Sequence, residues 1–288
     1  MNIILTGGTG FLGRHLSKYL TNIGHTIKLI QRSDLSEGIC RISKLINSAD
    51  VLINLAGSPV IKKWSDRNKN EILSSRLDTT NLLVEAILGL NPENRPKIVL
   101  SASAIGIYDS SGIHHEDSLD FDDNFLSFVC EQWEKCLVPL KNQDMRICIM
   151  RIGIVLGSDG GMLRKLLPIF RAGIGGPIGH GNQPFSFIHY QDFCRAVEYL
   201  MENPKCEGVF NLVSPECTTN KIFTKEMASA CHRPAIFPVP AFALKMLYGK
   251  AAVAMISGQA VYPKHLLENG FKFTYADIGS AVKAAIIH

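Results

Sequence analysis

The chain opens with a strand, a glycine-rich turn and a helix, and this order restricts its fold more than any other feature. The run NIILTG (residues 2–7) is typical of a buried strand, and an amphipathic helix is predicted from about Phe11 to Ile23. The glycines between them fit two spacings, Gly8-x-Gly10-x-x-Gly13 and Gly7-x-x-Gly10-x-x-Gly13. Without a Cβ, such a turn lets a pyrophosphate approach the backbone at the start of a helix. We therefore predict a nucleotide-binding turn made of Gly7, Gly8, Thr9, Gly10, Phe11, Leu12 and Gly13.

Apolar runs and helical stretches alternate through the first half of the chain. TIKLIQ (26–31), DVLINLAG (50–57), KIVLSAS (97–103) and RICIMRIGIVLG (146–157) are predicted as strands, with helices over 78–88 and 124–137. Continuous Val, Ile and Leu runs between helices indicate a parallel sheet covered on both faces. The fold class is therefore α/β: a Rossmann-type doubly wound parallel sheet with a smaller C-terminal substrate lobe. Only about eighteen residues separate the second and third strands, so we expect a shortened connection with one short strand around GICRI (38–42).

After Gly157 the sequence becomes glycine-rich and loop-like. GVFNLVS (208–214) is predicted to return to the sheet as a strand. We predict a Rossmann domain over 1–157, to which 186–214 returns, and a smaller substrate lobe over 158–185 and 215–288. Ligands in open α/β sheets lie at the carboxyl ends of the strands, so the cleft is expected between this lobe and the sheet.

The end of the second predicted strand should select the cofactor. An acidic residue there would bind the 2′-hydroxyl of the adenine ribose, whereas an arginine accommodates a 2′-phosphate. The chain has Arg32 and Ser33 at this place and no acid before Asp34, which predicts NADP. The small residues that end the third strand, Leu55, Ala56 and Gly57, would let a cofactor ribose lie close to the backbone.

Composition narrows the class of protein. A formal charge of +4 does not indicate nucleic acid, and the apolar stretch 242–260 is interrupted by two lysines, so neither nucleic acid nor a membrane is expected as a partner. Eight scattered cysteines without a Cys-x-x-Cys pair, and no leader segment, predict reduced thiols in a cytoplasmic protein. The run His114-His115-Glu116-Asp117 is interpreted as a surface loop, and no metal site is predicted.

The motifs GGTGFLG, NLAG, SASAIGIY and FSFIHYQD stand in the order of the extended short-chain dehydrogenase/reductase superfamily. The segments NLAGSPV, SRLDTTNLLVEAI, VCEQWE, GGPIGHGNQ and GQAVYPKHLLENGFKF are similar to its atypical NAD-dependent epimerase/dehydratase-like group, which includes the bacterial sugar-nucleotide-epimerase-like proteins. These segments cover nearly the whole chain. The resemblance implies the fold more firmly than any particular reaction.

The superfamily transfers hydride with a serine or threonine after its fifth strand, followed by a tyrosine and a lysine four residues beyond it. The resemblance places Ser103 at the serine position, with Ser101 close by at the cofactor, and Tyr108 in the pocket wall. The tyrosine itself is expected near Phe128, and no tyrosine occurs between Tyr108 and Tyr190. A register shifted by two residues gives Leu126 and Cys130, so the usual pair is absent in either alignment.

Three substitutes for the missing proton donor stay open. Tyr108 could turn its hydroxyl toward the substrate, Cys130 or Glu134 could supply a proton from one helix face, or Ser103 could hold a water. We therefore predict Ser103, Tyr108 and Cys130 as the catalytic group, with a packing role for Cys130 as the alternative.

The later segments of the chain supply the predicted substrate contacts. The glycine-rich run GGPIGHGNQ could wrap a polar ligand near Gln183, and the resemblance of FSFIHYQD to the family's substrate-contacting segment implies that Ser186 and His189 face the cleft. Arg151 and Lys165 could meet a negatively charged substrate.

Two functions remain open at this point. The first is an NADP-dependent oxidoreductase or epimerase-like enzyme for a small polar substrate, with a sugar nucleotide as one candidate. The second is a non-catalytic NADPH-binding sensor or regulator, which the missing tyrosine and lysine favour. Family members commonly pair through helices, so a homodimer is a further expectation.

Overall fold

The computed structural model describes residues 1–287, which form ten strands and twelve α-helices. The strands are β1 (Asn2–Thr6), β2 (Thr26–Ile30), β3 (Val51–Asn54), β4 (Ile98–Ala104), β5 (Ile113–His114), β6 (Arg146–Ile152), β7 (Ile154–Leu156), β8 (Phe187–His189), β9 (Gly208–Leu212) and β10 (Ala260–Val261). The helices are α1 (Phe11–Asn22), α2 (Arg32–Ser36), α3 (Ile39–Ile46), α4 (Asp66–Leu88), α5 (Phe125–Lys135), α6 (Leu163–Arg171), α7 (Tyr190–Glu202), α8 (Asn220–Ala230), α9 (Ala241–Tyr248), α10 (Val253–Ile256), α11 (Lys264–Glu268) and α12 (Ile278–Ile287).

Six of these strands form one parallel sheet in the order β2-β1-β3-β4-β6-β9. All four residues of β3 are buried, because helices cover both faces of the sheet. On one face α1 and α7 pack through Leu16, Leu20 and Val197, and on the other α3 and α4 pack through Ile46 and Ile87. The Rossmann-type doubly wound sheet predicted from the sequence is confirmed.

The connection between β2 and β3 differs from the prediction. The expected short strand around GICRI is wrong, because residues 39–46 form α3 and the five residues before Glu37 form α2. Helix α4 is also longer than predicted, since it begins at Asp66, where the Ser65 hydroxyl accepts a hydrogen bond from the Asn68 amide at 3.3 Å.

The later elements divide between the sheet and a separate core. Strand β9 joins the sheet beside β6, while β8 pairs with β7. Helices α6, α8 and α12 build the other core, with Phe170, Phe223, Met227 and Val282 among its buried side chains. Its role as a substrate lobe stays a prediction, as does the pairing of two chains.

No helix in residues 1–287 combines the length and the apolar character required to cross a bilayer.

Candidate cofactor and active site

The carboxyl ends of four neighbouring strands meet at one edge of the sheet, and most predicted site residues lie there. Thr6 of β1 is paired with Asn54 of β3, Asn54 with Ser101 of β4, and Ser103 with Arg151 of β6. In an open parallel sheet this edge is where ligands bind.

The turn between β1 and α1 is packed so closely that two positions admit only glycine. Gly7 has a φ of +68°, and a Cβ there would lie 2.5 Å from the carbonyl oxygen of Leu55. A Cβ on Gly13 would lie 2.2 Å from the carbonyl oxygen of Gly7. The first contact holds the turn against the end of β3, and the second holds the first turn of α1 against the glycine turn.

The start of α1 is suited to an anion. Gly10 precedes the helix in an extended conformation, no side chain caps the first amides, and the first turn contains no acidic residue. Thr9 and Gly10 are exposed, while Phe11 and Leu12 are half-buried. Free amides and the positive end of the helix dipole favour a phosphate group here, so the turn fits a dinucleotide.

A cavity of about 460 Å³ opens beside this turn. Thr9, Gly10 and Phe11 form one wall. The remaining lining residues are Arg14, Asp159, Gly160, Gly161, Arg164 and Lys165. Lys165 was predicted to meet an anionic substrate, whereas the arginines and Asp159 were missed because they are distant in sequence from the turn.

The loop 157–161 is tied directly to the first turn of α1. A Cβ on Gly160 would lie 2.2 Å from the Phe11 ring and one on Gly157 would lie 2.7 Å from it, so the ring packs flush on this backbone. Asp159 also lies 2.9 Å from His15 Nε2 and 3.5 Å from the Arg14 guanidinium. The nucleotide-binding turn and the loop after β7 therefore form one packed unit.

Arg32 and Ser33 are exposed at the beginning of α2, directly after β2. The neighbouring acid is already engaged, because Asp34 accepts hydrogen bonds from the Gln31 amide at 2.9 Å and from Arg41 Nε at 2.8 Å. The same two donors lower the pKa of Asp34. The side chain left to reach a ligand at this strand end is cationic, as NADP requires.

A buried polar network fixes the ends of the central strands. The Thr6 hydroxyl donates to Asn54 Oδ1 at 2.7 Å, and Asn54 Nδ2 donates to Thr80 Oγ1 at 2.9 Å. The Trp133 indole donates to the same Thr80 hydroxyl at 2.9 Å. Ser101, predicted at the cofactor, is fully buried with its hydroxyl 3.5 Å from Asn54 Nδ2, so the structure places it inside this network.

Arg76 of α4 is a further cation at this edge that sequence reasoning missed. Its Nη1 donates to the carbonyl oxygens of Ser58 at 3.1 Å and Ile72 at 2.9 Å, and its guanidinium lies 5.1 Å from the centroid of the Trp133 ring. A Cβ on Gly57 would lie 3.0 Å from Arg76 Cζ. In residues 1–287 it forms no ion pair, and burial lowers its pKa.

Ser103 and Tyr108 belong to a second buried network. The Ser103 hydroxyl donates to Glu134 Oε1 at 2.6 Å, and Arg151 binds both oxygens of Glu134 at 2.9 and 2.8 Å. Arg151 Nη1 also donates to the Tyr108 hydroxyl at 2.9 Å, which donates to Asn211 Oδ1 at 3.0 Å. Arg151, expected to meet a substrate, instead has Glu134 as its partner.

The possible proton donors are poorly placed for that role. Burial raises the pKa of Cys130 to about 12, with the nearby charge of Glu134 acting in the same direction, so its thiol is neutral at physiological pH. Tyr108 is fully buried, and burial raises its pKa although the Arg151 charge opposes the shift. Cys130, one member of the shifted register, lies beside Ser103, and Leu126, the other member, lies beside Gly106.

The surface interpretation of His114-His115-Glu116-Asp117 is wrong for two of its members. His114 and Glu116 are buried, because the pairing of β5 with β10 covers this segment. The His114 ring stacks on Tyr108 at 5.1 Å, and Glu116 accepts a hydrogen bond from the Asn211 amide at 2.9 Å. In the described part of the chain, no three His, Cys, Asp or Glu side chains are arranged to hold a metal ion.

The three predicted substrate residues are engaged in the fold. Gln183 Nε2 donates to the Ile178 carbonyl at 3.1 Å, and the buried Ser186 hydroxyl donates to the Gln259 carbonyl at 2.7 Å. His189 is buried, accepts the Gln191 amide at 3.3 Å at the start of α7, and lies 4.0 Å from the Tyr275 ring. The structure gives each of them a structural contact, and their substrate role remains a prediction.

Fold and site together define a nucleotide-binding Rossmann-fold protein of the short-chain dehydrogenase/reductase type. The chain belongs to the NAD dependent epimerase/dehydratase family, whose family model matches residues 3–212. A second family model, described only as a domain of unknown function (DUF1731), matches residues 239–285. The family predicted from the sequence motifs is thereby confirmed.

Named relatives extend along almost the whole chain. It is 36% identical to the epimerase family protein YfhF of Bacillus subtilis, covering 99% of this chain and 98% of the relative. It is 35% identical to the chloroplastic epimerase family protein SDR39U1 homolog of Arabidopsis thaliana, covering 99% and 86%. Since that relative is described as chloroplastic, the cytoplasmic location of this chain stays a prediction.

A solved structure agrees with the fold in detail. The crystal structure of the human epimerase family protein SDR39U1 (isoform 2) with NADPH superposes with a TM-score of 0.94 at 31% identity, covering 100% of both chains. The UDP-glucuronic acid 4-epimerase from Bacillus cereus, solved in complex with NAD, shares the fold with a TM-score of 0.76 at 19% identity.

Proposed function

We propose that the protein binds NADPH and acts as an NADP(H)-dependent oxidoreductase on a small polar substrate. The observation that carries the proposal is the turn of Gly7 and Gly13 against the end of β3, which leaves bare amides at the start of α1. Arg32 at the end of β2 supports the phosphorylated form of the cofactor, and so does the NADPH in the crystal structure of the human relative.

In this proposal the predicted Rossmann domain binds the cofactor and the predicted smaller lobe binds the substrate. Residues 1–157 with 186–214 hold the cofactor, with Leu55, Ala56 and Gly57 beside the ribose and Arg76 at an oxygen of the same ligand. Residues 158–185 and 215–288 hold the substrate. The cavity beside Thr9 is lined from both segments, which supports a site shared between them.

NADPH, when bound, supplies a hydride to an electrophilic carbon. The chain's own residues then have to polarise the acceptor oxygen and exclude side reactions. The Ser103 hydroxyl lies at the carboxyl edge of the sheet and donates its proton to Glu134. Its oxygen is therefore left to accept a hydrogen bond from a water. Cys130 holds its proton tightly and Tyr108 donates its own to Asn211, so a water at Ser103 would transfer a proton to the substrate oxygen, and the hydroxide left behind would regain a proton from bulk solvent.

An epimerase is a weaker candidate than a simple reductase. Epimerisation removes a hydride and returns it, and both steps need an acid and base at the substrate oxygen. The positions that carry the tyrosine and lysine in the superfamily hold Leu126 and Cys130 or Phe128 and Gln132.

A specific observation favours a second function, an NADPH-binding sensor without turnover. Ser103, Tyr108 and Cys130 are all buried, and Ser103 and Tyr108 donate their protons to other side chains of the protein. A protein that only reports the cofactor needs no proton donor.

Binding and turnover separate these functions. Thermal unfolding and calorimetric titration should show NADPH binding more tightly than NADH, with a stabilisation of about 2.7 kcal/mol at a hundredfold excess over Kd. Nicotinamide absorbance is then followed against a panel of carbonyl compounds and sugar nucleotides. If neither nucleotide binds, both functions are wrong, and NADPH binding without turnover of any substrate leaves the sensor.

A further inference from the structure

The segment around α9 exposes a group of large apolar side chains. Ile236, Phe237, Phe242, Met246 and Leu247 are each between 63% and 80% exposed to solvent. They come from the loop before α9 and from the helix itself, so they are continuous along the chain. A soluble domain rarely leaves so many large apolar side chains of one segment in water without a partner.

The charged side chains of this segment are all positive. No Asp or Glu occurs from Met227 to Leu267, whereas the same stretch contains the exposed cations Arg233, Lys245 and Lys250. None of these three cations takes part in an ion pair within residues 1–287, although Arg233 donates to the backbone carbonyls of Arg171 and His232. The apolar group is therefore accompanied by positive charge that the described fold leaves uncompensated.

A second copy of the chain is a poor occupant for this face. A two-fold symmetric contact would bring the cations of one copy toward those of the other, with no carboxylate of the same segment between them. An anionic bilayer surface matches both properties, because it offers an apolar layer for the Phe, Met and Leu side chains and negative headgroups for the cations. Helix α9 has eight residues, so it lies on such a surface and does not cross it.

We propose that residues 233–250, which we name the α9 face, bind the surface of membranes that contain anionic lipid. Phe242 and Met246, one helical turn apart, enter the acyl boundary, and Lys245 and Lys250 contact phosphate headgroups. The proposal replaces the expectation that the protein has no membrane partner. It does not depend on the proposed binding of NADPH.

Vesicle co-sedimentation tests the proposal with the full chain. The wild type should bind phosphatidylcholine vesicles containing phosphatidylglycerol, bind pure phosphatidylcholine vesicles weakly, and lose affinity as salt is added. F242D/M246D should weaken binding at least about tenfold. K245Q/K250Q should weaken it about fivefold for each cation removed and abolish the preference for phosphatidylglycerol.

V138D is the matched control, since Val138 is also exposed but lies in the turn after α5, and its vesicle binding should equal that of the wild type. All variants should keep the thermal midpoint of the wild type, because each replaced side chain is exposed. Absence of wild-type binding to the anionic vesicles overturns the proposal, and so does equal binding by F242D/M246D. A wild-type dimer that F242D/M246D converts to monomer, with no vesicle binding, assigns the face to a second copy and also overturns it.

Discussion

Arg151 connects an acid and two aromatic rings at the carboxyl edge of the sheet. It holds both oxygens of Glu134, donates to Tyr108, and its guanidinium lies 5.1 and 5.3 Å from the ring centroids of Tyr108 and Phe121. Its side chain is 5% exposed and that of Glu134 is 13% exposed, so the pair is nearly removed from water. Losing one partner leaves the other charge without compensation.

We therefore expect Arg151→Met to lower the free energy of unfolding by about 3–5 kcal/mol. The double variant R151M/E134Q should recover at least about half of that loss, because it removes both charges. Urea unfolding measures both. Lys97→Met is the control, since Lys97 pairs with Asp144 at 3.8 Å on the surface, and its loss should cost under about 1 kcal/mol. An R151M cost as small as that of K97M would contradict a buried, coupled pair.

Arg32 is the residue that should decide between the two nicotinamide nucleotides. Arg32→Asp removes the guanidinium expected at the 2′-phosphate and supplies an acceptor for a 2′-hydroxyl. The ratio of the Kd values for NADPH and NADH should shift by about tenfold or more toward NADH, measured by calorimetric titration. Lys205→Asp makes the same charge change just before β9, at the opposite edge of the sheet, and should leave the ratio unaltered. An unchanged ratio in R32D would remove Arg32 from the site.

At the scale of elements, the six strands of the main sheet and helices α1, α4 and α5 were predictable because their patterns are long, whereas the run 146–157, predicted as one strand, divides into β6 and β7. Residues 39–46 were not predictable, since Ile39, Ile42 and Ile46 have helical spacing but lie in a run too short to separate from a strand by pattern alone. The start of α4 was placed too late because its first turns are polar and exposed, which hides the helical period.

The packing of α1 on its turn gives a prediction at the same scale. Gly13→Ala places a Cβ where the Gly7 carbonyl stands, so it should lower the free energy of unfolding by about 2 kcal/mol and abolish detectable NADPH binding. Gly89→Ala is the matched control at the end of α4. A Cβ there would have its nearest contact at 3.4 Å, and its φ of −74° suits alanine. It should stay within about 0.5 kcal/mol of the wild type and bind NADPH normally. Wild-type binding by G13A would refute the turn as the cofactor site.

Across the whole molecule, the site depends on contacts that no local pattern predicts. Ser103 and Glu134 are 31 residues apart, and Tyr108 and Asn211 are 103 apart. The glycine turn and Ser103 could be located because their motifs are local. The roles of Arg76, Asp159 and the Arg151–Glu134 pair could be recognised only in the folded structure, because each depends on a partner in a different element.

The C-terminal segment closes over this network. Asn211 Nδ2 donates to the Tyr262 carbonyl at 3.2 Å, the Asn211 amide donates to Glu116, and Lys264 holds Asp117 at 2.6 Å. Burial raises the pKa of Glu116, although the hydrogen bond from the Asn211 amide opposes the shift. Protonated Glu116 therefore favours the folded state below the ordinary carboxyl pKa, and this contribution is lost as the pH rises through the raised value.

Glu116→Gln keeps the acceptor oxygen and cannot ionise. The free energy of unfolding of E116Q, relative to the wild type, should therefore be higher at about pH 8 than at about pH 4. Urea unfolding at both pH values measures the difference, and the exposed Glu93→Gln controls for the loss of one negative charge. A relative stability that is the same at both pH values would contradict the raised pKa.

The contact of Phe11 with the loop 157–161 has a consequence for how nucleotide binding could be observed. The ring belongs to the first turn of α1 and also rests on glycine backbone from the far side of the cavity. A ligand that restricts the motion of this turn should also restrict the motion of the loop 157–161, because the Phe11 ring packs on both. The amide protons of 157–161 should then exchange with deuterium more slowly in the presence of NADPH, even though they lie outside the first strand and helix, which gives a spectroscopic report of occupancy that requires no knowledge of the substrate.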